Sequence, residues 1–126
     1  MTDYSKEMLR KTLIPVLLGG NRRSFAISAR LWFFHGLRSY ICDSKRRFFA
    51  VMDPLVTAFE LFSDTDDDMI FEALCYISDN TDYLPILVPC SEKFELFVKR
   101  NAERLETRFI ISSAEELFST APLSAL

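Results

Sequence analysis

Four stretches of this 126-residue chain carry residue types that could do chemistry. The first is Gly19-Gly20-Asn21-Arg22-Arg23-Ser24. Glycines let a backbone come close to a ligand, and a helix beginning at Asn21 would offer its N-terminus to an anion. Two arginines in a first helical turn oppose the helix dipole, a local conflict that points to function. The functional reading is an anion or substrate carboxylate held here, or a contact to another domain; the alternative is a tight turn with solvated arginines. The second is Asp43, which ends an apolar run where a dinucleotide-binding protein places its ribose-binding acid. The G-x-G-x-x-G fingerprint is missing, because Asn21, Arg22 and Ser24 occupy the turn. The third is Cys90-Ser91, a thiol and a hydroxyl just before a predicted helix, a position that could lower a thiol pKa. His35 is the only histidine, and it falls at the far end of the first helix, so a Cys–His pair is not expected.

The fourth is Asp64, Asp66 and Asp68, which have the first spacings of a calcium loop. Met69 stands where that loop needs glycine and Cys75 where it needs glutamate, so a solvated helix start is expected. Cys42, Cys75, Cys90 and His35 lack zinc spacing. Lys45-Arg46-Arg47 could meet a phosphate but reads as a solvated edge over Phe48-Phe49. The candidate binding set is Gly19, Gly20, Asn21, Arg22, Ser24, Asp43, Cys90 and Ser91. No catalytic residue and no metal site emerges.

The elements that must position these residues follow from periodicity and punctuation. Residues 2–11 read as an N-terminal helix or arm. Leu13 to Leu18, stopped by two glycines, reads as a buried strand with Pro15 near its start. A helix over Arg22 to Phe34 is capped by Asn21 and closed by His35-Gly36. Strands are predicted over Leu37 to Asp43, Val56 to Phe62, Leu84 to Val88 and Phe109 to Ile111. A short helix is expected over Ser44 to Asp53, and a longer one from Asp64 to Ser78 with acids at its positive end. Ser91 caps a long helix to Thr107, with Phe94, Val98, Ala102 and Leu105 inward and Glu95 paired to Lys99 outward. Ser113 with Glu116 forms a capping box for a last helix. Strand alternating with helix predicts an α/β three-layer sandwich, Rossmann-like, with a mainly parallel sheet of about five strands. Its sites lie beyond the carboxyl ends of the strands, in loops starting at Gly19, Asp43, Pro89 and Ser112. The organisation expected is an arm (1–12), one domain (13–118) and a tail (119–126).

Bulk properties bound the rest. Apolar residues make up 49%, enough for a core without a metal or disulfide staple. A net charge of −3 brings no bulk attraction to nucleic acid, and none is expected as a partner. Three cysteines without paired spacing fit a reducing compartment. There is no signal-like apolar start and no run long enough to span a membrane, so a cytoplasmic protein without a membrane partner is expected. Trp32-Phe33-Phe34, Phe48-Phe49 and Phe59 to Phe62 supply more aromatics than one core absorbs, so either an exposed patch on a sticky monomer or a homodimer that buries it is expected.

Two blocks carry a resemblance. Pro15-Val16-Leu17-Leu18-Gly19-Gly20 followed by Ser24 to Arg30, and Pro85-Ile86-Leu87-Val88-Pro89-Cys90-Ser91-Glu92 leading into Phe94 to Leu117, stand in order over roughly residues 13–118. They resemble the N-terminal, Rossmann-like domain of ATP-grasp carboxylate–amine ligases of the D-aspartate ligase type. The resemblance implies an ATP-dependent amide-forming enzyme, with ATP and Mg held by grasp domains that follow. This domain would shape one wall of the substrate site and would be inactive alone. ATP-grasp domains, in cis or in trans, would be its partners, and no cofactor would sit in this chain. The alternatives are a stand-alone module binding a small anion or a protein, and a dinucleotide-binding Rossmann protein.

Overall fold

The computed structural model describes residues 13–43, 56–60 and 66–119, giving the backbone alone for 56–60 and 118–119. The strands are β1 (Leu13–Leu18), β2 (Ser39–Asp43), β3 (Val56–Glu60), β4 (Leu84–Pro89) and β5 (Ile110–Ile111). The helices are α1 (Arg22–His35), α2 (Asp67–Asp79), α3 (Glu92–Arg100), α4 (Ala102–Leu105) and α5 (Ala114–Ser119). The sheet has order β3-β2-β1-β4-β5 with every pairing parallel. The expected arm at 1–12, the helix over Ser44 to Asp53, Asp64 and the tail end lie outside the described residues.

The centre of the sheet is built from near-continuous apolar runs because it is covered on both faces. Alternate residues of β1 feed opposite layers. Val16 and Leu18 join Cys42, Leu87, Ile70, Leu74, Phe97 and Leu105 under α2 and α3. Leu17 joins Ile41, Ile86, Val88, Ile27, Leu31 and Leu117 under α1 and α5. Pro15 is tolerated in a central strand because pairing with β2 begins only at Val16. The strand order reverses between β1 and β4: the chain steps outward through β2 and β3, then returns to the other side of β1. Such a switch point opens a crevice at the carboxyl rim.

Both ends of α1 are fixed by sequence-local chemistry. Asn21 and Ser24 form a reciprocal capping box. Gly36 is left-handed at φ 65, its N–H donating to Trp32 and that of Leu37 to Leu31, the six-to-one closure of a Schellman end.

The single helix expected from Ser91 to Thr107 is instead two, and this corrects the sequence reading. Asn101, buried, leaves helical geometry at φ −118, ψ 17. Its amide N–H donates to Asp67 Oδ2 at 2.9 Å and to the Phe97 carbonyl at 2.9 Å. Arg100 grips the same Asp67 with two hydrogen bonds of 2.9 and 3.0 Å. Arg104 pairs with Asp68 at 2.9 Å and covers the Phe71 ring, and Arg108 pairs with Asp79. A tertiary clamp between α2 and the α3–α4 junction outweighs the helix propensity of the segment. The clamp also absorbs part of the acidic cluster: Asp66 caps α2 while Asp67 and Asp68 hold arginines.

Hydrogen bonds from Arg100 and Asn101 hold the Asp67 carboxyl down at about 2, against 3.8 unperturbed. A depressed folded-state pKa means stability that is full above pH 4 and lost as pH falls from 4 towards 2. Because Arg100 and Asp67 are partly in water, the effect is at most about 1 kcal/mol. The gap between the unfolding free energies measured in urea at pH 5 and pH 2.5 should shrink by up to that amount in Asp67→Asn. An unchanged pH dependence in the variant would show that the clamp contributes nothing.

Candidate functional site

The loops after β1 and β4 meet at the switch point. Leu18 stands opposite Pro89 in the register, and Cys90 N–H donates to the Leu18 carbonyl at 2.8 Å. Gly19 N–H donates to the Cys42 carbonyl at 2.9 Å, so the end of β2 joins the same rim. Gly19 adopts φ 112, a backbone conformation L side chains rarely take. A Cβ there would touch Phe94, Asn21 and Cys90, the three groups that close the corner.

The structure brings all eight candidate residues to this rim and gives most of them internal partners. Gly20 N–H donates to Asp43 Oδ2 at 2.6 Å. Asn21 N–H donates to Ser24 Oγ at 2.9 Å, and Ser24 N–H to Asn21 Oδ1 at 3.0 Å. The Asn21 amide also donates to the Cys90 carbonyl at 2.9 Å. Ser91 Oγ accepts from Phe94 N–H at 3.3 Å, capping α3. The loops are therefore laced to one another across the switch point. An anion entering here would compete with the Asp43 carboxylate for Gly20, so its recognition falls on the exposed guanidinium of Arg22.

Two expectations change at this rim. Glu95 does not pair with Lys99 along α3; its carboxylate accepts from Arg23 Nη1 at 3.3 Å, tying α3 to α1. That bond also accounts for one of the two arginines that defy the α1 dipole. The Cys90 thiol is buried and donates weakly to the Val88 carbonyl. Burial pushes its pKa up to about 12, partly offset by Arg23, so it remains a thiol at neutral pH. It fills a crowded turn and is not poised as a nucleophile. Burial raises the Cys42 thiol still further and Cys75 less. His35 ends α1 at the opposite rim from Cys90.

Beside the laced corner a groove of about 240 Å³ runs between the ends of β4 and β5. Pro89, Val98 and Ile111 make its apolar wall; Glu95, Lys99, Ser112 and Glu116 rim it. Sequence reasoning identified the Ser112 loop as a rim loop but missed Lys99 and Glu116. Their helical spacing reads as solvated surface, and only β5 beside β4 brings Glu116 of α5 and Lys99 of α3 to the rim of one groove.

The fold and rim define a doubly wound, Rossmann-like α/β domain with its candidate site at the topological switch point. Comparison with family models, with curated proteins and with solved structures found no match for this chain.

Proposed function

We propose that this chain serves as the N-terminal domain of an ATP-dependent carboxylate–amine ligase of the ATP-grasp type. Its part is to form a fixed wall of the substrate site, with ATP and Mg bound by grasp domains in cis or in trans. The observation that supports this most is the lacing of the β1 and β4 loops by the Asn21–Cys90 hydrogen bond. Residues bonded to each other in this way hold a surface in place and leave little free for proton transfer or nucleophilic attack. What the rim offers outward is the Arg22 guanidinium, suited to a substrate carboxylate, and the neighbouring groove with its Lys99 ammonium.

A dinucleotide enzyme is the weaker reading. The acid that would hold a ribose, Asp43, bonds to Gly20 instead, and side chains fill the turn where a pyrophosphate needs bare backbone. A stand-alone anion-binding module would use the same Arg22.

Thermal-shift titration separates the two carboxylate-binding readings from the dinucleotide one. A small amino acid or dicarboxylate at ten times its Kd should stabilise the chain by about 1.4 kcal/mol, raising Tm by several degrees. Arg22→Ala should abolish the response, and NAD or FAD should give none. Stabilisation by NAD or FAD alone would overturn the proposal, and so would indifference to every carboxylate tested.

A further inference from the structure

The groove between the ends of β4 and β5 has an apolar wall and opposite charges on its two banks. Helix α3 packs in one layer of the sheet and brings Lys99 to the rim; α5 packs in the other layer and brings Glu116. Both side chains are exposed. Neither has a hydrogen-bond or ion-pair partner among the described residues, and they do not pair with each other. The third charge at the rim, Glu95, is already held by Arg23.

The banks are fixed by bonds that leave those two charges unused. Ser112 N–H donates to the Leu87 carbonyl at 2.9 Å, which sets the loop after β5 against β4. Ser113 Oγ accepts from Glu116 N–H at 3.1 Å and caps α5. The Arg23–Glu95 bond ties α3 to α1. A concave, largely apolar surface with a few convergent polar groups is the usual form of a small-molecule site. At about 240 Å³ the groove falls below the roughly 300 Å³ where sites for drug-sized ligands begin, so its occupant is small.

We infer that the groove binds a free α-amino acid with a branched apolar side chain. Its carboxylate meets Lys99, its ammonium meets Glu116, and its side chain lies against Val98 and Ile111. The two charges select the class by what they refuse as much as by what they hold. A carboxylate without an amine brings its negative charge up to Glu116. An amine without a carboxylate meets Lys99, and so does a metal ion. A dicarboxylate is turned away by Glu116. Only a zwitterion answers both banks, and only an apolar one uses the wall. Arg22 does not line this groove, so binding here is separate from the carboxylate contact proposed at the corner.

The test is a titration of the chain with L-leucine, followed by amide NMR chemical shifts. Saturable shifts should centre on Val98, Lys99, Ser112, Ser113 and Glu116. Isocaproate and isoamylamine, each leucine with one charge removed, should bind about fivefold more weakly, the upper end for a charge pair formed partly in water. Glycine has no side chain for the apolar wall and should bind at least about tenfold more weakly. These arms use the unaltered chain and stand whether or not a variant folds. Lys99→Gln and Glu116→Gln, altering exposed side chains only, should each lose about fivefold at unchanged Tm. No saturable shift at the groove, isocaproate or isoamylamine binding as tightly as leucine, or folded variants that bind as the parent does would overturn the assignment. A dicarboxylate response lost in Arg22→Ala, without leucine binding at the groove, would overturn it and leave the ligase reading standing. Leucine binding at the groove without that dicarboxylate response would do the reverse.

Discussion

Phe97→Ala should cost about 3–5 kcal/mol, the range for emptying a buried phenylalanine site. Phe97 is 1% exposed and lies on α3 between the sheet and α2, in the layer formed by Val16, Leu18, Leu74, Leu87 and Leu105. Close-packed neighbours on rigid strands cannot collapse into the space. Domains of this size are stable by only about 5–15 kcal/mol, so a large share of the total would go. Urea denaturation should show a lower midpoint with the slope nearly unchanged. The Phe97 carbonyl also accepts from Asn101, so the cavity sits beside the clamp that divides α3 from α4. Phe97→Leu should recover most of the loss. A cost below about 1 kcal/mol would mean that the α3 layer is not packed as described.

Asn21→Ala should be the most damaging change at the rim, at about 2 kcal/mol. One part is the helix cap, usually worth about 1 kcal/mol. The other is the Cys90 carbonyl, which loses the amide donor of Asn21 in a half-buried corner, a further 1 kcal/mol or so. Asn21→Ser separates the two. A serine at the N-cap position still accepts from the residue-24 N–H but cannot reach the β4 loop, so about half the cost should return. If alanine and serine destabilise equally, the cross-loop bond carries the whole effect; if serine restores full stability, the lacing is incidental. The same variants bear on the proposed wall. Serine should weaken the carboxylate-induced thermal shift more than its effect on stability would suggest, because the loop that positions Arg22 is no longer tied to Cys90.

What was legible in the sequence was what neighbours in the chain decide. Leu13 to Leu18 alternate between two buried layers and had to be a strand. Gly19 marks a backbone turn that other residues take with strain, and Gly36 marks the end of α1. Asn21, Ser91 and Ser113 cap helices through bonds spanning three residues. The strand–helix alternation forced a parallel sheet, and a parallel sheet fixed which loops share a rim. The eight candidate residues were found together for that reason.

The use to which those residues are put belongs to the tertiary structure. Asp43 bonds to Gly20 across 23 positions, Arg23 to Glu95 across 72 and Asn21 to Cys90 across 69. Local spacing favoured a Glu95–Lys99 pair and an unbroken helix from Ser91, and both gave way to partners brought in by the fold. A carboxylate four residues from a lysine gains little in water. A polar side chain at a packed junction must satisfy its hydrogen bonds with whatever the packing supplies. Chain order thus determined the elements, their caps and the rim. Packing determined which polar groups close that rim and which, like Arg22, are left facing outward.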